Sequence, residues 1–434
     1  MDEGRRKFIG AAGAFGAGLL LGGMKRAVFA VPLTGAKLNL RVRQDLVPDA
    51  VMNAVLGGFN RKNREIRLVS SYHEPERTWE EENSSLDAVP AKLTEGEDYE
   101  MFITHSLLVP DMADAGMIAP LDEYLDDPEL NRSDFHRSVY GGVLDSVTYR
   151  GNVWALPLVA DPYALFCNMA IFDRAGIAFP LKTWNDALDA ARKMTIDTDG
   201  DGAADLFGYS QCSFQFPLQI LTMGLELVDL EKKRVTFDSD EGVEALALYA
   251  KLRECSPDHV DFENGDIGMK ISVTNNSFGR YGHLDYGIGP LPAGVRRANS
   301  YGDSDGALAA GMRKKEKRTR DAAWEAMKWL FSESTFFKLA GMTRSLPLRY
   351  SILNGERFKD HLRTFPNLVP FLEELEYAVP KPCVPEYRRL KVIFREILLP
   401  VQTVPPALVT REEIRLFLRR MADGANETLS KAAW

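Results

Sequence analysis

The sequence predicts an α/β protein with more than one domain, in which strands and helices alternate along the chain. At 434 residues the chain is too long for one ordinary core, so two domains are expected. Segments of alternating polarity, such as KLNLRVRQ (37–44), are followed by segments with apolar residues at helical spacing, such as PDAVMNAVLGGFNRKN. This alternation indicates βαβ units around a sheet.

The same pattern continues through the chain and resumes after residue 155. Strands are predicted at EIRLVSSY, YEMFITH, YALFCNM, LFGYS and ALAAGM. Helices are predicted at DAVPAKLTEG, VPDMADAGMIAPLDEYL, WNDALDAARKM, DEGVEALALYAKLREC, DAAWEAMKWLFS and REEIRLFLRRMADGANETLSKA. Thr183 is the predicted N-cap of the WNDALDAARKM helix. Trp324, Met327 and Phe331 recur at helical spacing, which predicts a core-facing stripe.

Residues 1–30 have the composition of an export signal. Arg5 and Arg6 precede an apolar run that ends in a small-residue processing site at Ala30, a pattern similar to twin-arginine signals. An uncleaved anchor is the alternative, although the apolar run at 10–23 is short for a membrane span. Removing this segment changes the net charge from −9 to −12, because it holds five basic and two acidic residues. Such an acidic body argues against a nucleic-acid partner, and a periplasmic or secreted location is expected.

The four cysteines would meet an oxidising compartment after export. They are Cys167, Cys212, Cys255 and Cys383. Four cysteines allow three complete pairings, and the sequence leaves all three open. Cys167 lies in an apolar strand-like run, where a buried thiol is an alternative to a disulfide.

One long segment carries a resemblance to a known family. GNVWALPLVADPYALFCNMAIFDRAGIAFPLKTWNDALDAARKMT resembles a stretch of the extracellular solute-binding proteins of ABC importers, within the sugar-binding cluster that includes maltose-binding protein. Further pieces follow in the family's order: MADAGMIAPLDEYL, DTDGDGAADLFGYS, GIGPLPAG, YGDSDGALAAGM, AAWEAMKWLFS and SLPLR. The resemblance implies a two-lobed periplasmic binding protein fold, with a ligand cleft between the lobes and crossover hinge strands.

The resemblance also implies where the lobes begin and end. Crossovers are expected near residues 159–163, 291–298 and 340–350. Lobe one would comprise 37–158 plus 295–343, and lobe two 164–290 plus 350–434. The implied partners are a small-molecule solute and the membrane permease of an ABC transporter, and the receptor is expected to be a monomer.

The stretch GDSDG fits G-x-S-x-G, the pattern of a serine hydrolase's nucleophile elbow. An elbow needs a helix directly after the serine, whereas ALAAGM, a strand-like run, follows Ser304. His361 with Asp360 could complete the order of a triad, but acidic neighbours of the serine would oppose a developing oxyanion. We therefore interpret the stretch as a Gly-rich ligand loop, not a catalytic centre. Its candidate ligand contacts are Tyr301, Asp303, Ser304 and Asp305.

Asp161 is the strongest candidate for a ligand contact. It lies seven residues before Asn168, matching the acidic ligand-contacting position of the family at the first crossover. A carboxylate between Ala160 and Pro162 in an apolar run needs a partner. The alternative is a structural hydrogen bond at the hinge. Tyr163 is interpreted either as lining the cleft or as core.

The remaining candidates are spread along the chain. In YEMFITHSLL the strand ends at Thr104, His105 and Ser106, where the family's first lobe meets its ligand, and a structural histidine is the alternative at His105. His73, Trp79, Asn275, Asn276, Arg349 and Tyr387 complete the predicted set. The family commonly has Trp where Asn275 falls, so stacking on a sugar ring would need another aromatic residue, such as Trp79, Tyr163, Phe214, Tyr301 or Tyr387. For Arg349, a ligand contact and an interlobe salt bridge are both open.

The stretch DTDGDGAAD suggests a cation site. It places Asp197, Asp199, Asp201 and Asp205 at relative positions 1, 3, 5 and 9, with Gly202 at position 6. Ca²⁺ prefers oxygen ligands at this spacing. Position 12 is a glycine where an EF-hand has a bidentate Glu, so an empty Asp/Gly turn is the alternative.

The resemblance implies a receptor that binds a solute and does not convert it, with carbohydrate as the expected ligand class. No cofactor is expected to be required, and a structural Ca²⁺ in the Asp-rich loop is the candidate bound ion, with an empty turn as its alternative. Two alternatives remain open. One is the same fold binding a polyamine, a phosphodiester or a metal chelate, which the Trp-poor VTNNSFG favours; the other is a secreted serine hydrolase.

Overall fold

A computed structural model describes most of the chain after residue 35. The described residues are 36–43, 47, 49–73, 99–135, 143–212, 215–229, 231–257, 262–274, 281–300, 308–343, 345–387, 390 and 410–431. Their α-helices are α1 Asp49–Lys62, α2 Val109–Asp114, α3 Met169–Ala175, α4 Trp184–Met194, α5 Gln215–Thr222, α6 Asp240–Arg253, α7 Lys317–Leu330, α8 Glu333–Thr343, α9 Tyr350–Leu353, α10 Glu356–Thr364, α11 Val369–Leu375 and α12 Arg411–Ser430. Their strands are β1 Ala36–Arg43, β2 Ile66–His73, β3 Met101–His105, β4 Thr148–Tyr149, β5 Asn152–Val153, β6 Leu156–Ala160, β7 Ala164–Asn168, β8 Val228–Asp229, β9 Arg234–Val235, β10 Met269–Ser272, β11 Tyr286–Gly289, β12 Asn299–Ser300, β13 Leu308–Met312, β14 Leu346–Pro347 and β15 Ala378–Val379.

The larger sheet has the strand order β14-β6-β13-β3-β1-β2. β1 pairs in parallel with β2 and β3, whereas β13 runs antiparallel to β3 and β6. The alternation that predicts β1 matches its burial, since Leu38, Leu40 and Val42 are all buried. α1 packs on β2 and α7 on β1 and β13. The predicted core stripe of α7 and the residue after it is also confirmed, because Trp324, Met327 and Phe331 are buried.

A smaller antiparallel sheet has the order β10-β7-β11. Every residue of β7 is buried, as expected of an uninterrupted apolar run. α3 packs on β7 and β11, and α4 packs on α3. The predicted N-cap of α4 is confirmed, because Thr183 Oγ1 accepts a hydrogen bond from the Asp186 amide at 3.1 Å. The Asp186 carboxylate accepts one in return from the Thr183 amide at 2.9 Å, which completes a capping box.

Three connections in the described part of the chain lead between these sheets or away from the larger one. Residues 161–163 join β6 of the larger sheet to β7 of the smaller one. Residues 290–307 lead from β11 back to β13 and contain β12. After β14 the chain continues through α9, α10 and α11 to β15, which pairs in parallel with β12. All three fall on or beside the predicted crossovers, while the lobe boundaries themselves stay a prediction.

Two predicted elements take a different form. The helix expected from VPDMADAGMIAPLDEYL begins at Val109 but ends early, because α2 stops at Asp114 and Gly116 follows in the left-handed region with φ +64°. The strand expected at LFGYS is reduced to isolated bridges. Its Gly208 lies so close to the end of α4 that an added Cβ would be 1.9 Å from the Ala191 carbonyl oxygen. The helix predicted at DAVPAKLTEG lies outside the described residues.

Candidate functional site

The C-terminal end of β3 carries three of the predicted ligand contacts. Thr104, His105 and Ser106 are all buried. Among the described residues, no partner forms a hydrogen bond with Thr104 Oγ1, and a buried hydroxyl in that condition is unfavourable. Leu107, in the turn that follows, belongs to an apolar cluster formed mainly by α5, α6 and α12. The end of β3 therefore lies where the larger sheet meets helices α5, α6 and α12.

Asp161 lies in the first connection, directly after β6, and is partly exposed. Thr274 Oγ1 donates a hydrogen bond of 2.5 Å to Asp161 Oδ1. Thr274 is buried just beyond the end of β10, so this bond ties the first connection to the smaller sheet. Thr274 is therefore the hydrogen-bond partner that a carboxylate in this apolar run was expected to need. A carboxylate can accept several hydrogen bonds, so the bond to Thr274 leaves the predicted ligand contact at Asp161 a prediction.

The two aromatic residues predicted here for ligand stacking lie in packed cores. Tyr163 is buried in the apolar cluster that surrounds β7, α3 and α4. Tyr387 is buried in the cluster that also contains Leu107. Burial raises the pKa of the Tyr387 hydroxyl well above its usual range. For Tyr163 this is the core alternative of the sequence interpretation, and for both residues a ligand contact stays a prediction.

A buried polar network, which the sequence did not predict, lies beside Tyr163. Asn299 Nδ2 donates to the Tyr163 carbonyl at 2.7 Å and to Glu374 Oε2 at 2.8 Å. Arg297 Nη2 donates to the other oxygen, Glu374 Oε1, at 2.6 Å. Burial raises the pKa of the Glu374 carboxyl, and the bonds from Asn299 and Arg297 oppose that rise. Glu374 sits in FLEELE, whose periodicity is that of an ordinary surface helix, so sequence inspection offers no signal for this network.

Arg349 forms hydrogen bonds with segments near the larger sheet. Its Nε donates to Asp134 Oδ2 at 2.6 Å, and the two atoms form an ion pair. Its remaining nitrogens donate to the carbonyl oxygens of Phe331 at 2.6 Å and Glu129 at 2.7 Å. The same Asp134 carboxylate accepts hydrogen bonds from Ser351. The guanidinium thus joins several segments near that sheet, an arrangement that neither sequence alternative anticipated.

The Asp-rich loop brings three of its four predicted ligands together. Carboxylate oxygens of Asp197, Asp199 and Asp205 lie within 4.8 Å of one another and are exposed, whereas Asp201 is outside this group. Asp197 accepts hydrogen bonds from the amides of Gly202 at 2.8 Å and Gly200 at 2.6 Å. These bonds lower the pKa of Asp197 and keep it charged. Such a loop provides oxygen ligands for a hard cation, and the Ca²⁺ site stays a prediction.

The four cysteines are free thiols in this structure. Cys167 and Cys255 are buried, and Cys212 and Cys383 are half-buried. The position of Cys167 is that of the buried-thiol alternative, and burial raises the pKa of this thiol well above the usual range.

Several predicted contacts lie outside the described residues. They are Trp79, Asn275, Asn276, Tyr301, Asp303, Ser304 and Asp305, together with the alternative stacking residue Phe214. His73 is described only through its backbone, as the last residue of β2 opposite Arg43.

The residues considered as triad partners for Ser304 have other contacts. The ring of His361 packs against Phe337, Phe358 and Phe365, and burial lowers its pKa. The Asp360 carboxylate forms an ion pair with Arg363. These contacts give the hydrolase interpretation no support, and Ser304 lies outside the described residues.

This fold and the sequence place the chain in a defined class of proteins. Residues 46–335, more than half of the chain, match the family described as bacterial extracellular solute-binding protein. The chain belongs to this family, which confirms the resemblance seen in the sequence. In the described residues, no helix combines the length and the apolar character needed to cross a membrane.

Relatives and solved structures of similar fold agree with this assignment. A putative binding protein of Brucella abortus is 24% identical over 325 residues, covering 70% of this chain and 75% of the relative. The maltotriose-binding protein of Pyrococcus abyssi is 21% identical over 324 residues, covering 70% and 65%. The cyclic alpha-maltosyl-1,6-maltose binding protein of Arthrobacter globiformis has a TM-score of 0.75 at 18% identity, covering 92% of this chain and 100% of that one. A Thermotoga lettingae solute-binding protein bound with alpha-D-tagatose has a TM-score of 0.70 at 21% identity, covering 91% and 100%. These likenesses confirm the predicted two-lobed α/β fold.

Proposed function

We propose that this protein is the extracytoplasmic receptor of an ABC importer and that its ligand is a carbohydrate. Membership of the extracellular solute-binding family is the observation that carries the receptor function. Carbohydrate as the ligand class is supported by similar proteins described as binding maltotriose, tagatose and a cyclic maltosyl-maltose. The partner is the membrane permease of the importer, and the receptor acts as a monomer.

The side chains beside the first connection have the chemistry that a neutral, hydroxyl-rich ligand requires. The Asp161 carboxylate, the Thr104 hydroxyl and the His105 ring can exchange hydrogen bonds with neighbouring sugar hydroxyls. All three lie at the ends of strands of the larger sheet, where the chain turns toward the second half. Stacking on the apolar face of a ring would come from aromatic residues outside the described set, Trp79 or Tyr301.

The mechanism is reversible closure of two lobes around the connections. A ligand that touches both lobes stabilises the closed state by its differential affinity for that state. Closure removes the ligand from water, which strengthens its hydrogen bonds with the protein. No bond of the ligand is broken, so the receptor has no catalytic residues. The closed receptor then presents a two-lobed surface to the permease.

Residues 1–30 act as the export signal in this proposal. A twin-arginine pathway would deliver the receptor already folded, to the periplasm or the cell exterior. N-terminal sequencing of the protein recovered from that compartment would locate the processing site, and an intact N-terminus there would favour the anchor instead.

Calorimetric titration against a panel of solutes tests the function. Maltose, maltotriose, cyclic maltooligosaccharides, tagatose and ribitol form one arm, and a polyamine, a phosphodiester and a metal chelate form the other. Saturable binding heats that occur only with the sugars of the first arm support the proposal. Binding in the second arm only would assign the same fold to a non-sugar solute.

The hydrolase alternative has its own test. A fluorophosphonate probe reacts with an activated serine, so labelling of the wild-type protein that disappears in Ser304→Ala would overturn the receptor proposal. We expect no labelling, and no change in a sugar during incubation with the protein.

A further inference from the structure

The side chain of Asn299 acts on the first connection much as a neighbouring strand would. Asn299 is 0% exposed. Its Nδ2 donates to the Tyr163 carbonyl at 2.7 Å, and its Oδ1 accepts from the Tyr163 amide at 3.1 Å. One amide group therefore pairs both backbone polar groups of Tyr163, as a strand of a sheet would do. The backbone of the first connection is fixed at this residue by a side chain 136 positions away in the sequence.

Glu374 holds Asn299 in that orientation. Glu374 is 1% exposed, and its carboxylate is held by donors from one segment of the second connection. These donors are Asn299 Nδ2 at 2.8 Å, Arg297 Nη2 at 2.6 Å and the Leu291 amide. A buried carboxylate is unfavourable unless it is hydrogen-bonded and paired, so these bonds are needed for Glu374 to stay inside. Because Oε2 of Glu374 must accept from Nδ2, the Asn299 amide cannot flip without losing that bond.

The third connection joins the same network. Glu374 lies in the last turn of α11, which packs on β7 and β12. The backbone amide of Asn299 donates a hydrogen bond to the Tyr377 carbonyl at 2.9 Å, and β12, which begins at Asn299, pairs in parallel with β15. The Arg297 guanidinium lies 3.9 Å from the centre of the Tyr377 ring, a cation–π contact. One buried network therefore holds together residues of each of the three connections identified in the described part of the chain.

We propose that Asn299 and Glu374 are positioning residues of the hinge. They fix the backbone of Tyr163 against the second and third connections, so that the two lobes pivot about one shared point. Asp161 lies two residues before Tyr163, so the network of Asn299 and Glu374 also positions the Asp161 carboxylate for the ligand. The hinge function follows from the network itself, whereas the effect on Asp161 rests on the proposed receptor function.

Asn299→Ala tests the inference, with Asn168→Ala as the matched control. Asn168 is also a buried asparagine; it accepts from the Ile171 amide at 3.3 Å and donates to the Gly265 carbonyl at 3.2 Å. Both hydrogen bonds of Asn168 join residues beside the smaller sheet, and neither involves a residue of the three connections. Each variant is compared with the wild type by small-angle X-ray scattering of the ligand-free protein, thermal unfolding, and calorimetry with maltotriose as the probe.

We expect both variants to lower Tm, since each loses buried hydrogen bonds. Only Asn299→Ala should shift the ligand-free scattering profile toward a broader distribution of interlobe distances and weaken maltotriose binding by about tenfold. Scattering profiles of Asn299→Ala and Asn168→Ala that both match the wild type would overturn the hinge function, because a purely structural asparagine lowers Tm without changing the lobe distribution.

Glu374→Gln keeps the test decisive if Asn299→Ala does not fold. The glutamine retains the shape and one acceptor for Asn299 but loses the charge that binds Arg297. We expect a smaller change of the scattering profile in the same direction, and an unchanged profile would overturn the inference. If the wild type does not bind maltotriose, the carbohydrate proposal loses support, while the scattering of the ligand-free variants still decides the hinge function.

Discussion

At the scale of single residues, the environment of Asp161 shows why one carboxylate can have two roles. Its hydrogen bond with Thr274 joins the first connection to the smaller sheet. That bond stabilises the protein with or without ligand, whereas a ligand contact would matter only for affinity. The two roles predict different responses to substitution.

Asp161→Ala should weaken carbohydrate binding by roughly ten- to a hundredfold, because a hydrogen bond that a ligand hydroxyl donates to a charged carboxylate is lost. Calorimetry at a temperature well below Tm measures the effect. Thr274→Val removes the structural partner and leaves the carboxylate, so it should lower Tm with a smaller change in affinity. The exposed Asp189 on α4 provides a matched control, Asp189→Ala. Unchanged affinity in Asp161→Ala would remove this residue from the ligand site.

Glu374 should make part of the stability depend on pH. Burial raises its folded-state pKa above the ordinary value of 4.5, so the folded protein binds this proton more tightly than the unfolded chain. The associated stability is fully present below the ordinary pKa and is lost as the pH rises through the folded pKa. Denaturant unfolding across that window should show the wild type losing stability with rising pH relative to Glu374→Gln. Parallel pH profiles of the two proteins would contradict the raised pKa.

At the scale of elements, local signals in the sequence identify those helices and strands whose pattern is contained within a few neighbouring residues. The Thr183 capping box of α4 and the alternation of β1 are both readable within a few residues. The Asp-rich loop between α4 and α5 is equally local, since its spacing alone brings three carboxylates together. Elements whose form depends on distant packing, such as the LFGYS segment against Ala191, were predicted less well.

Calcium should stabilise the protein through the Asp-rich loop. Free Ca²⁺ at about a hundredfold above its dissociation constant would add about 2.7 kcal/mol to the free energy of unfolding. Thermal unfolding with calcium and with a chelator measures this. Asp197→Asn should abolish the difference, whereas Asp201→Asn, outside the three-carboxylate group, should retain most of it. Equal Tm values with calcium and chelator in the wild type would mean an empty turn.

At the scale of the whole molecule, Leu107 links the two halves of the fold. It follows β3 of the larger sheet, yet it packs into the apolar cluster of α5, α6 and α12. An apolar contact of this kind makes the unfolding of one half sensitive to the other.

Leu107→Ala should lower the free energy of unfolding by roughly 2–5 kcal/mol and separate the unfolding of the two halves. Leu38→Ala is the control, because Leu38 is equally apolar and buried in β1 of the larger sheet. Differential scanning calorimetry should show a broadened or split transition for Leu107→Ala and a single, lower transition for Leu38→Ala. Single sharp transitions in both variants would show that Leu107 does not couple the halves.

The sequence by itself determined the α/β class, the extracellular solute-binding family and the first connection at Asp161, because these depend on periodicity and short ordered motifs. Only the tertiary structure decided that Asn299 and Glu374 share a buried network. The two residues are 75 positions apart, and Asn299 meets Tyr163 across 136 positions. Neither lies in a pattern that marks burial, since FLEELE has the periodicity of a surface helix. Burial and pairing at such separations follow from how whole segments pack, which no local pattern of residues encodes.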